Sequence, residues 1–163
     1  MEIKEILENT EFLGGFETDY LDRITPLCAT EHYRAGDSIF TEGSASKDFY
    51  ILVDGAISLE KKVSQAFGDA EDTTLQLEEI EQGEAFGWSG LIEPHEFAAS
   101  TRCLTDCDVV SVKGNELLKL MEKEPEFGLK MAQRLARLIS SRMTYARENL
   151  TRGLSQIRLD KEI

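Results

Sequence analysis

The spacing of apolar positions divides the chain into three parts. Over residues 2–26 they recur at helical intervals, first at Ile3, Ile6 and Leu7, then at Phe16, Tyr20, Leu21 and Ile24. Asn9–Thr10 and Gly14–Gly15 interrupt the run, so short helices packed against a larger core are expected. Over residues 29–112 the pattern shifts to short β-prone runs: TEHYRAGDSIF with a turn at Ala35–Asp37, DFYILVDGAISLEKKV, LQLEEI, ASTRCL and CDVVSVK. Ile57 and Leu59 alternate with Ser58 and Glu60, the signature of a half-buried strand. Asp54–Gly55 between two such runs predicts a hairpin, and residues 64–74, SQAFGDAEDTT, read as a polar hairpin tip. Gly43, Gly55, Gly68 and Gly83 fall where turns are needed. Strands this short and this regular argue for a sandwich or barrel.

From 114 to 158 the helical period returns. Asn115 is placed to cap a short helix carrying Leu117, Leu118 and Leu120. Pro125 suits the first turn of a much longer helix, expected to reach about residue 152. Along it Ala132, Ala136, Ile139, Met143, Ala146, Leu150, Gly153 and Ile157 follow alternating steps of four and three, a heptad seam. Leu135, Leu138 and Arg142 form a neighbouring stripe. One stripe is expected to cover the strands and the other to meet a second copy. The alternative is a helix packed wholly on its own domain. The small side chains at Ala132, Ala136 and Ala146 permit close helix approach and bury less area than leucines would.

Composition narrows the function. The chain has 163 residues, is 41% hydrophobic and carries a formal charge of −13. That is enough to bury one core, and two ordinary domains would be crowded. The three parts, 1–26, 27–113 and 114–158, are therefore read as one domain. Strong acidity argues against autonomous nucleic-acid binding. The charge is uneven: residues 1–112 hold 24 acids and 7 bases, residues 113–163 hold 7 acids and 11 bases. The basic C-terminal part is suited to an acidic partner or to an acidic face of its own dimer. Arg134, Arg137, Arg142, Arg147 and Arg152 read as exposed helix charges or intersubunit partners. No apolar run is long enough for a membrane span, and MEIKEILENTEF lacks a signal core, so a cytoplasmic protein is expected. Cys28, Cys103 and Cys107 read as buried or semi-buried free thiols. His32 and His95 lack metal-ligand spacing, and no metal is expected.

The densest chemistry lies in residues 83–104, GEAFGWSGLIEPHEFAASTRCL. The leading FLGGFETDYLDRI, the turns Gly36–Asp37, Glu42–Gly43 and Asp54–Gly55, the segment GEAFGWSGL and the long final helix occur in an order that resembles the cyclic nucleotide-binding domain of the catabolite activator and anaerobic regulator superfamily. The resemblance covers roughly residues 10–152. It implies a mainly β fold with flanking helices: a double-stranded β-helix, or jelly roll, followed by a long dimerisation helix. It also implies a ligand site at Phe86, Gly87, Trp88, Ser89, Gly90, Ala98, Ala99 and Ser100, where a short helix offers backbone N–H groups to a phosphate. Dimerisation is assigned to Ala132, Ala136, Ile139, Met143, Ala146 and Leu150.

Two positions depart from that family's pattern. Trp88 stands where the pattern has a ribose-binding glutamate, and Glu84 belongs to the leading turn. Ala98 stands where it has a phosphate-binding arginine. Arg102 keeps the strand parity of that position but lies about 13 Å further along. Losing a bidentate arginine removes a charge-assisted contact, so the expected ligand is a weakly held cyclic AMP, cyclic GMP or another small anion, with no other cofactor. DNA-binding members carry a further domain after the dimer helix. Here RGLSQIRLDKEI follows, and direct DNA binding is not expected. The expected function is a non-enzymatic, homodimeric sensor domain that signals through its long helix to a regulatory protein partner. The alternative is a protein-interaction or structural module with a vestigial pocket. A jelly-roll enzyme would need a metal cluster, a nucleophile–base pair or a carboxylate dyad that this sequence does not offer.

Overall fold

The computed structural model describes residues 2–63 and 73–161, with side chains described up to residue 153. Among the described residues, helices α1 (Ile3–Glu8) and α2 (Thr18–Ile24) lead into seven strands: β1 (Cys28–Tyr33), β2 (Asp48–Asp54), β3 (Ile57–Val63), β4 (Thr73–Ile80), β5 (Ala85–Phe86), β6 (Ser100–Cys103) and β7 (Cys107–Lys113). Helices α3 (Gly114–Lys123) and α4 (Pro125–Lys161) close the described chain. Because α4 alone spans 37 residues, the fold is mixed rather than mainly β. The expected hairpin tip lies outside the described residues except for Thr73 and Thr74, which begin β4.

The strands form two antiparallel sheets, ordered β1-β7-β2-β5 and β4-β3-β6. This corrects the hairpin expected at Asp54–Gly55. The turn is there, with Gly55 at φ 103°, but β2 and β3 belong to different sheets. Both edges of β2 are already taken, by β7 and β5. The turn instead carries the chain across the corner between sheets. A Cβ on Gly55 would sit 2.5 Å from the Asp106 carbonyl oxygen and 2.7 Å from Cys107 Sγ, so glycine is required. The β6–β7 connection crosses beside it: Leu104 N–H donates to the Ala56 carbonyl at 2.8 Å.

Two apolar layers result. Leu52, Ile57, Ile80, Phe86, Cys103, Cys107 and Val109 fill the space between the sheets. Phe49, Ile51, Val110 and Val112 face the other way, onto Leu7, Leu13, Leu21, Leu117, Phe127 and Met131 of the helical segments. β2 is buried on both faces from Phe49 to Leu52, which is why it reads as an unbroken apolar run. Each large side chain buried this way contributes about 1.5–3 kcal/mol. Ser58 is fully buried rather than facing water. Cys103 and Cys107 are free thiols, and burial pushes the Cys103 thiol up to about 12.

The helices differ from the sequence reading in several places, and α4 runs to Lys161 rather than ending at about residue 152. α3 begins at Gly114, with Lys113 at its cap position and no side-chain cap, so Asn115 lies inside the first turn. The start is fixed by packing: a Cβ on Gly114 would be 2.6 Å from the carbonyl oxygens of Gly90 and Lys47. Arg134 is not an exposed charge. Its guanidinium donates to the carbonyls of Gly14 (2.9 Å) and Phe12 (3.3 Å) and lies 5.2 Å from the Phe16 ring, tying α4 to the connection between α1 and α2.

Candidate functional site

The segment 83–91 is clamped onto β2 along its whole length. Gly83 N–H donates to Leu52 O (2.7 Å), Leu52 N–H donates to Glu84 O (2.9 Å), and Phe86 pairs with Tyr50. Glu84 Oε2 accepts from Glu81 N–H at 2.7 Å, closing the leading turn. Gly87 then takes a left-handed conformation, φ 72°. A Cβ there would lie 2.9 Å from Tyr50 Cδ2 and 3.3 Å from Phe40 Cε1, so both backbone and space demand glycine. Trp88–Gly90 forms a single 3-10 turn, capped by Gly87 and Leu91. Gly90 presses on β2, where a Cβ would meet Asp48 O at 2.6 Å.

The opposing wall comes from residues 95–99. This stretch pairs with residues 43–46: Gly43 N–H donates to Phe97 O (2.8 Å) and Ser46 N–H to His95 O (2.7 Å). The Phe97 ring stacks on Phe40 with centroids 3.7 Å apart. His95, at φ 58°, brings Nδ1 to 3.1 Å from Ser89 O and so braces the 3-10 turn.

Gly87, Trp88, Ser89, Ala98 and Ala99 line a cavity of about 660 Å³, together with β3, β4 and α4. Trp88 is half-buried and also packs against the helix-side core, so one indole serves both. The remaining sequence-predicted site residues lie elsewhere. Phe86 is fully buried between the sheets. Gly90 packs on Asp48, and the Ser100 hydroxyl accepts Glu42 N–H at 2.9 Å. Thr101 Oγ1 accepts from Ile39 and Phe40 N–H at 2.9 and 3.0 Å, which pins the 38–42 loop. Arg102 does not reach the cavity; its guanidinium is held by Glu60 at 2.7 Å.

α4 supplies the far wall. Of the seam residues, Ile139, Met143, Ala146 and Leu150 line the cavity, while Ala132 and Ala136 are exposed on an earlier part of the helix. Met143 and Leu150 are 50% and 65% exposed in the single chain. Ile157 lies outside the described side chains.

Arg142, expected as an exposed helix charge or intersubunit partner and as part of the stripe with Leu135 and Leu138, has a side chain only 10% exposed. Nη1 donates to Glu78 Oε1 of β4, Nη2 lies 3.6 Å from Glu84 Oε1 and donates to Ala85 O at 3.4 Å, and Nε is buried without a partner. Burial lifts the Glu78 carboxyl above its ordinary value, with the Arg142 hydrogen bond pulling the other way. Leu77, beside Glu78, is the extra residue of a β-bulge between Glu78↔Leu59 and Gln76↔Glu60.

Among the described residues no cluster of histidine, cysteine or carboxylate side chains is arranged to hold a metal. Among those residues, too, no helix is long and apolar enough to cross a membrane.

The fold recurs in solved structures. A protein of Geobacter metallireducens GS-15 named for cyclic nucleotide binding matches with TM-score 0.73 and 23% identity, covering 88% of this chain and 99% of its own. A cyclic nucleotide-binding domain from Methylobacillus flagellatus KT gives TM-score 0.77 and 17% identity over 93% of this chain and 82% of its own. The regulatory domain of Toxoplasma gondii PKA, solved with cAMP, gives TM-score 0.63 and 20% identity over 80% and 48%. The family model for the cyclic nucleotide-binding domain matches residues 30–124, and the chain belongs to that family.

Proposed function

We propose that the chain is a ligand-responsive regulatory domain whose cavity, walled by the Gly87–Ser89 turn and α4, converts occupancy into a change in α4. The role is non-enzymatic and follows from the family. The observation that carries the reading is the shared wall. Residues 87–89 and residues 139–150 of α4 line one cavity of about 660 Å³, so a molecule there touches both. A ligand favouring one placement of α4 shifts the population toward it.

The cAMP carried by the Toxoplasma relative supports a small ligand in this fold. Trp88 and Ala98 occupy the positions of the family's ribose-binding glutamate and phosphate-binding arginine, so cyclic AMP and cyclic GMP bind this chain weakly. The two sheets close as the family's jelly roll. Two copies meet along Ala132, Ala136, Ile139, Met143, Ala146 and Leu150, and the dimer passes its state to a regulatory protein in the cytoplasm. The exposed Met143 and Leu150 favour a second reading, a protein-interaction module whose cavity is idle.

Calorimetric titration with cyclic AMP and cyclic GMP separates the two. Dissociation constants around the millimolar range, with thermal stabilisation, support the sensor. No heat and no stabilisation by these nucleotides or by an uncharged probe leave the interaction module.

A further inference from the structure

The cavity wall is mostly carbon: Leu59, Leu77, Trp88, Phe97, Ile139 and Met143 all contribute. Among the described residues its lining holds one cation, Arg142, and one acid, Glu78, and these are bonded to each other. An anionic group reaching the unpartnered Arg142 Nε lies beside two carboxylates, Glu78 bonded to the same guanidinium and Glu84 3.6 Å from it. A cationic group reaching Glu78 lies beside the Arg142 guanidinium. Both set a like charge against the pair where solvation is poor. A neutral group with one donor and one acceptor meets the pair without breaking it. Nearby, Lys61 pairs with Glu42 at 3.1 Å and reaches the Ala98 carbonyl at 3.5 Å, and Arg102 pairs with Glu60 at 2.7 Å. The volume of about 660 Å³ suits a molecule of drug size.

We propose that this cavity binds an uncharged, largely apolar small molecule whose polar end meets the intact Glu78–Arg142 pair. The inference rests on the reading of the cavity as a ligand site and adds the chemical class of the ligand.

Trp88 is the single tryptophan of the chain, so its emission reports on the cavity directly. The full chain is titrated with N-phenyl-1-naphthylamine, an uncharged probe in which an N–H joins a naphthalene to a phenyl ring, following Trp88 quenching and probe enhancement. Cyclic AMP and cyclic GMP are titrated separately by calorimetry. The expected result is a dissociation constant for the probe at least tenfold below that of either nucleotide. Leu77→Arg, at a site 45% exposed and therefore tolerant, weakens the probe at least tenfold. Circular dichroism and the thermal midpoint check that this variant folds, and Met143→Arg replaces it if it does not.

Tighter binding of a cyclic nucleotide than of the probe overturns the ligand class and leaves the ligand site standing. No binding of either overturns both. Equal probe binding by wild type and the folded charged variant puts the probe elsewhere and overturns the inference. So does probe binding that disappears as protein concentration rises, because a second copy then fills the cavity.

Discussion

Arg142 of α4 and Glu78 of β4 form an ion pair whose side chains are 10% and 14% exposed, on the wall of the cavity. It joins the long helix to the sheet at the point where a ligand would sit. The pair is buried enough that its two partners depend on each other.

Arg142→Met therefore leaves the Glu78 carboxylate out of water without its partner. A loss of about 3–5 kcal/mol in unfolding free energy is expected by urea titration. Arg142→Met combined with Glu78→Leu costs clearly less than Arg142→Met alone, because no stranded charge remains. Additive losses would show that the two side chains do not share an environment.

The same pair sets a pH dependence. Burial raises the Glu78 carboxyl above its ordinary 4.5, so the folded state holds that proton to higher pH than the unfolded chain. The resulting contribution to stability is complete below pH 4.5 and is lost as pH rises through the folded value. Glu78→Gln removes this decline. Stability curves for wild type and variant from pH 4.5 upward should differ by that slope. Parallel curves would contradict it.

Gly87 tests the cassette itself. Gly87→Ala places a methyl group at φ 72° and 2.9 Å from Tyr50. A destabilisation of about 1–3 kcal/mol is expected, with altered Trp88 emission because the next residue shifts. An unchanged thermal midpoint and spectrum would mean that the turn relaxes freely.

How much of this was legible beforehand depended on distance along the chain. Gly87, Gly55 and the helical period of 125–150 are local signals, because one φ or one residue spacing fixes each. The partition of β2 and β3 between sheets is not local: Asp54–Gly55 announces a turn but not which edges of β2 are already filled. The partner of Arg142 was hidden for the same reason: its stripe with Leu135 and Leu138 is local, but Glu78 lies 64 residues away. The bulge at Leu77 likewise exists only once β4 is paired with β3.

The seam on α4 makes a separate prediction. Leu150 is 65% exposed in the single chain, so Leu150→Glu should leave protomer stability within about 0.5 kcal/mol. Sedimentation should nonetheless show the wild type as a dimer and the variant shifted to monomer. A wild-type monomer at high concentration would remove the dimer from the account.

The central claim is that α4 feels what occupies the cavity. Amide hydrogen exchange of the full chain, measured free, with saturating N-phenyl-1-naphthylamine and with millimolar cyclic AMP, addresses it directly. The account expects slower exchange at Gly87–Ser89 and along residues 139–150 together, with at least one of these molecules. Slowing confined to the Gly87–Ser89 turn, with α4 unchanged under both, would contradict it.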